Sequence, residues 1–94
     1  MSFEWDFRKA IANKQKHGVS FDEACSVFDD SLANIFPDPD HSPSENREII
    51  VGHSVVRRLL LVVFLEGASG RVRIISARPA TRREQSDYEE TRHH

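Results

Sequence analysis

Cysteine is almost missing from this chain. Cys25 is the one thiol in 94 residues, which excludes an intrachain disulfide framework and suits a reducing compartment. Long hydrophobic runs are missing too. The longest covers residues 59–65, far short of the ~20 apolar residues that span a bilayer. The opening Met1-Ser2-Phe3-Glu4-Trp5-Asp6 has neither a basic stretch nor an apolar one. A secretory signal is therefore not expected, and the expected location is the cytoplasm, with no membrane partner. No internal repeat and no linker breaks the chain, so residues 1–94 are expected to form one domain. Lysine stops at Lys16, and beyond it every fixed cation is an arginine.

That last absence directs attention to charge. The formal net charge of −2 hides an asymmetry. Residues 1–45 hold four Lys/Arg against nine Asp/Glu, and residues 46–94 hold nine Arg against six Asp/Glu. Arginine is the better cation for bidentate phosphate contacts and for stacking on bases. A concentration of it fits nucleic acid or an acidic protein partner, or simply a solvated face balanced by the acidic half.

Periodicity gives the elements. Phe3-Glu4-Trp5 alternates as a short strand does, and Asp6 fits a helix N-cap. Phe7, Ala10, Ile11 and Lys14 then recur at helical spacing, with Lys16 and His17 at the cation-favouring end and Gly18 as C-cap. This predicts a helix over 7–16. Ser20-Phe21-Asp22-Glu23 has the form of a capping box. Phe21, Ala24, Cys25 and Phe28 follow it as one apolar stripe, so Cys25 reads as a small core residue. Three prolines within 37–43 forbid regular structure there. A short strand is expected at 32–36, and further strands at 47–53, 59–65 and 71–77, joined by short hairpin links. Residues 59–65, apolar throughout, should be central. Thr81-Arg82-Arg83-Glu84 is a second capping-box pattern, starting a last helix that runs to about residue 90. The expected class is α+β: two N-terminal helices, an antiparallel sheet of about four strands, and a C-terminal helix.

The densest positive charge falls where the last strand meets the last helix, at Arg71, Arg73, Arg78, Arg82 and Arg83. Strict alternation puts Arg71, Arg73 and Ile75 on one face of the strand, and Val72, Ile74 and Ser76 on the other. Arg82 and Arg83 lie in a first helical turn, where the helix dipole already disfavours cations. A helix N-terminus with added arginines is suited to bind an anion such as phosphate. Asp38, Asp40 and His41 lack the fixed spacing of metal sites, so no metal and no cofactor are expected.

Several of these residues fall in one recognisable order. Phe3-Glu4-Trp5-Asp6, Asn13, Lys16-His17-Gly18-Val19-Ser20-Phe21 and Glu23-Ala24 open it. The Pro-Asp-Pro-Asp-His-Ser loop at 37–42, Arg47 and Gly52 continue it. Ile74-Ile75-Ser76-Ala77-Arg78-Pro79-Ala80-Thr81, Arg83-Glu84 and Tyr88-Glu89 close it. The chain in this way resembles the BrnT toxins over nearly its whole length. Phe7 is a departure, since members often have proline there, where it would only stiffen the first helical turn.

The resemblance implies a RelE-like fold, ribonuclease activity, and a place in a type II toxin–antitoxin system. The implied partners are RNA as substrate and a small DNA-binding antitoxin, with DNA reached only through that antitoxin. RNA cleavage without a metal needs charge on the phosphate and side chains that move protons. On that basis Arg78 is expected to clamp the scissile phosphate, with Lys16 and His17 assisting in charge and proton transfer. Glu84 competes as general base, against the stronger reading that it closes the capping box of Thr81. Arg47, Arg73, Arg82 and Arg83 are expected to contact RNA. Trp5 next to the first helix reads as core rather than as a base-stacking platform. The rival function is a non-catalytic antitoxin-binding module that acts as co-repressor in a DNA-bound complex. A homodimer through a sheet edge, within the toxin–antitoxin assembly, stays open.

Overall fold

The computed structural model describes residues 1–40 and 46–92. His41, His93 and His94 lie outside the described residues. Five strands form one sheet, β1 Ser2–Glu4, β2 Asn34–Pro37, β3 Arg47–His53, β4 Leu59–Glu66 and β5 Arg71–Pro79, in the order β1-β5-β4-β3-β2. Helices α1 Phe7–His17 and α2 Phe21–Ser26 lie between β1 and β2, with a single 3-10 turn at Val27–Asp29, and α3 Arg82–Arg92 follows β5.

The helix signals act as written in the sequence. Asp6 accepts from Arg8 N–H at 2.8 Å and Lys9 N–H at 3.2 Å. Gly18 ends α1 at φ 71°, a left-handed conformation that glycine adopts without a Cβ penalty. Ser20 caps α2 by accepting from Glu23 N–H at 3.0 Å. The second half of that capping box does not form as expected, because the Glu23 carboxylate turns to Arg58 and Ser54 instead. Around Thr81 both halves form: Thr81 N–H donates to Glu84 Oε1 at 2.8 Å, and Glu84 N–H to Thr81 Oγ1 at 3.1 Å.

The sheet departs from expectation in count and direction. It has five strands and is mixed, because β1 runs parallel to β5 with Phe3 opposite Val72. That pairing lets Phe3 reach Phe28 across 5.2 Å, inside the main core. Three residues of alternation carry no signal for strand direction.

Two layers of core result. On one face, Ile50, Leu60, Val62, Phe64, Val72, Ile74 and Ala77 pack under α1, α2 and the 3-10 turn with Val19, Phe21, Ala24 and Val27. Trp5 packs edge-on against Phe21 at 5.9 Å, as the core reading required. Cys25 is half-buried, and burial pushes its thiol up to about 11, so it is no nucleophile near neutral pH. On the other face Ile49, Val51, Leu61 and Tyr88 form a smaller cluster beneath α3.

Asn13 ties α1 to an edge of the sheet. Strand β1 pairs with β5 only as far as Arg73, which leaves Ala77 without a strand on that side. The buried Asn13 amide takes the strand's place: its Nδ2 donates to Ala77 O at 2.8 Å, and its Oδ1 accepts from Ala77 N–H at 3.1 Å. This anchors α1 along the outer edge of β5.

Candidate active site

A bulge builds the site. In the β4–β5 ladder Phe64 pairs with Ile74 and Val63 pairs with Ser76, so Ile75 is the extra residue. A single extra residue reverses which side chains face which way. Ser76 and Arg78 therefore share a face with Arg71 and Arg73, contrary to strict alternation, which put Ser76 with Val72 and Ile74. Ala77 is fully buried on the opposite face. Without the bulge Arg78 would point into the main core.

Arg78 stands at the wall of a cleft of about 580 Å³ between α3, the sheet, and residues 38–40. Ile49, Val51, Leu61 and Val63 form its floor, and Phe36 and Tyr88 stand at its sides. Helix α3 contributes Glu84, Asp87, Tyr88 and Thr91, the i, i+3, i+4, i+7 stripe of one helical face.

Glu84 holds Arg78 by both oxygens. Arg78 Nη1 donates to Glu84 Oε1 at 2.7 Å and Nη2 to Oε2 at 2.8 Å, while Nη1 also reaches Pro79 O at 3.3 Å. A guanidinium has five N–H donors. The Nε–H and one Nη2–H stay unspent by these bonds. The same pair sets the protonation state of Glu84. The Arg78 hydrogen bonds, then those of Thr81, hold its carboxyl down to about 2. A carboxylate so firmly ionised is a weak proton acceptor at neutral pH. This speaks against Glu84 as general base and for Glu84 as the group that orients Arg78.

The other sequence candidates scatter around this pair. Arg73 lies on the same face about 15 Å away along the strand, with Nη1 donating to Glu4 Oε2 at 2.8 Å. Arg71 shares that carboxylate at 3.4 Å. Arg47 pairs with Leu65, and Leu65 with Arg73, so the two arginines sit in one row across the sheet, about 10 Å apart. Arg82 and Arg83 are exposed in the first turn of α3, outside the cleft lining. Lys16 and His17 follow Asn13 by one turn on α1, which packs on the sheet face opposite Arg78, and they do not line the cleft.

Sequence reasoning missed three things. One is the bulge, whose trace is the adjacent pair Ile74-Ile75 breaking an alternating run. Another is the place of Tyr88 in the cleft wall, where its hydroxyl donates to Leu32 O at 3.3 Å and its ring meets His53 edge-on at 5.7 Å. The third is the sign of the cleft. Among the described residues that line it, Arg78 is the one cation against Asp38, Asp40, Glu84 and Asp87.

The class defined so far is a small α+β protein with a mixed five-stranded sheet and an arginine-bearing cleft beneath its last helix. The comparisons make the class specific. Residues 5–84 match the family described as "Ribonuclease toxin, BrnT, of type II toxin-antitoxin system", and the chain belongs to that family. The crystal structure of the Brucella abortus ribonuclease toxin BrnT is similar, at 25% identity and a TM-score of 0.69, covering 87% of this chain and 99% of that one. No curated protein sequence matches. An antitoxin partner follows from membership of a type II family. No helix among the described residues is long and apolar enough to cross a membrane.

Proposed function

We propose that this chain is a RelE-like, metal-independent endoribonuclease that arrests translation in the cytoplasm until its antitoxin binds it. In the reaction the ribose 2′-OH gives up a proton and its oxygen bonds to the adjacent phosphorus. The bond to the 5′-oxygen breaks, and that oxygen takes up a proton. The products are a 2′,3′-cyclic phosphate and a 5′-hydroxyl. Extra negative charge builds on the phosphate on the way, and a pre-aimed cation there stabilises it without reorganisation.

The observation that carries this reading is Arg78 itself: clamped in orientation by Glu84, beside an open cleft, with two N–H donors left for phosphate. Arg73 and Arg47 extend the same sheet face as contacts for flanking phosphates. Arg82 and Arg83 add charge at the mouth of α3. Lys16 and His17 act from the β5 edge, where α1 is tied to the residue before Arg78. His17 is the side chain proposed for proton transfer.

The test is induction of the chain alone beside Arg78→Ala, with purified RNA digested in excess chelator. The expected result is growth arrest and chelator-resistant cleavage yielding cyclic phosphate ends, both lost in the variant. Cleavage that stops on chelation sinks metal independence. Intact RNA from folded parent protein would favour the non-catalytic co-repressor.

A further inference from the structure

Away from Arg78, the charged groups among the described residues that line the cleft are all acidic. Its floor is aliphatic, and its mouth carries Asp40 and Asp87 as well as the Glu84 that already neutralises Arg78. A cationic side chain is attracted to Asp40 and Asp87, away from the Arg78 end of the cleft. The β2 edge beside the cleft also exposes large apolar side chains, Phe36 on the cleft face and Ile35 on the opposite one. Phe36 is 41% exposed, and its neighbours Leu32 and Ile35 are 50% and 54% exposed. They lie on and beside β2, the last strand of the sheet, whose outer edge pairs with no strand among the described residues. An uncovered edge strand with adjacent large apolar side chains is a surface that proteins normally cover.

We infer that the cleft between α3 and the sheet, with the β2 edge, is a protein-docking site for a peptide segment that combines large apolar with lysine or arginine side chains. Within the reading proposed above, that segment belongs to the antitoxin. Apolar side chains enter over Val51 and Leu61 while a basic residue meets Asp40 and Asp87. A segment seated there covers the unspent donors of Arg78. Neutralisation of the toxin is then occlusion of the arginine by a basic segment, the reverse of an acidic antitoxin segment docking on the arginines themselves.

The probe is a short fluorescein-labelled peptide of leucine and lysine, compared with its leucine–glutamate counterpart and with a single-stranded RNA oligonucleotide. Binding to the full chain is read by anisotropy, and its location by amide shift changes. The lysine peptide should bind with shifts at Phe36, Asp40 and Asp87. The double variant Asp40→Lys/Asp87→Lys should weaken it by about tenfold or more, and added salt should weaken it too. The glutamate peptide should not bind there. Equal binding of both peptides, indifference to the double variant, or RNA shifts centred on Asp40 and Asp87 would overturn the inference. RNA cleavage by the parent is read separately. Cleavage without peptide binding defeats the docking site alone, and peptide binding without cleavage defeats the nuclease alone.

Discussion

Glu23 and Glu84 hold the same position in the same motif, three residues after a hydroxyl N-cap, and each gives both oxygens to an arginine outside its own helix. Their surroundings separate them. Glu23 is 12% exposed and also accepts from Ser54 Oγ at 2.7 Å, while Arg58 goes on to Gly18 O at 3.1 Å. That cluster fastens α2, the β3–β4 turn and the end of α1 together across 35 residues of sequence. Glu84 is 29% exposed, and its arginine lies six residues away, on the cleft. The same chemistry thus serves as a long-range brace in one place and as a local aiming device in the other. Separation along the chain and access to solvent decide which.

Removing the two arginines should pull these roles apart. Arg78→Ala is expected to lower RNA cleavage by about 10²–10³-fold, the usual loss when one donor to a developing oxyanion is deleted. Its stability should move by no more than about 1 kcal/mol, since a local, partly exposed pair contributes little. Cleavage kinetics with urea unfolding on one preparation check both. Undiminished cleavage would remove Arg78 from the chemistry.

Arg58→Ala should do the opposite. It leaves a largely buried carboxylate with Ser54 as its remaining side-chain partner, and it frees the turn whose Arg57 sits at a left-handed φ of 65°. A loss of about 2–3 kcal/mol is expected, below the range for a fully buried pair because Arg58 itself is partly exposed. Cleavage per folded molecule should be unchanged. A stable but inactive Arg58→Ala would show that the brace also shapes the site.

Little of this contrast was legible in the sequence. The capping pattern S/T-x-x-E announces both helix starts, and both occur where periodicity puts them. It does not say where the glutamate carboxylate goes once other donors compete for it, and Arg58 is no neighbour of Glu23 until the sheet has formed. The strands were legible because runs such as 59–65 are apolar on both faces. The parallel placement of β1 was not, because three residues cannot specify direction. The site was half legible. Arg78 stood out as a cation at a strand-to-helix junction. Its face depends on a bulge that alternation alone misreads, and the acidity of the cleft comes from Asp38, Asp40 and Asp87, gathered from two distant segments.

Acid sharpens the comparison further through Glu84→Gln. The carboxyl is held near 2 against an ordinary 4.5. A folded value below the unfolded one means stabilisation that is complete above about pH 4.5 and is lost as pH falls through about 2. Glutamine neither titrates nor bears charge. The variant should therefore be less stable than the parent at neutral pH, and the gap should close as pH falls through that window. Glu23, also held below its usual value by Arg58 and Ser54, keeps some acid sensitivity in both proteins. Glutamine can still accept one Arg78 N–H but cannot clamp it from both sides. Cleavage should fall by only about tenfold, as loosened positioning does, and less than in Arg78→Ala. Its pH profile near neutrality should keep its shape if Glu84 positions the arginine. Loss of the acidic limb from that profile would instead make Glu84 the proton acceptor, and the two glutamates would differ in chemistry as well as in reach.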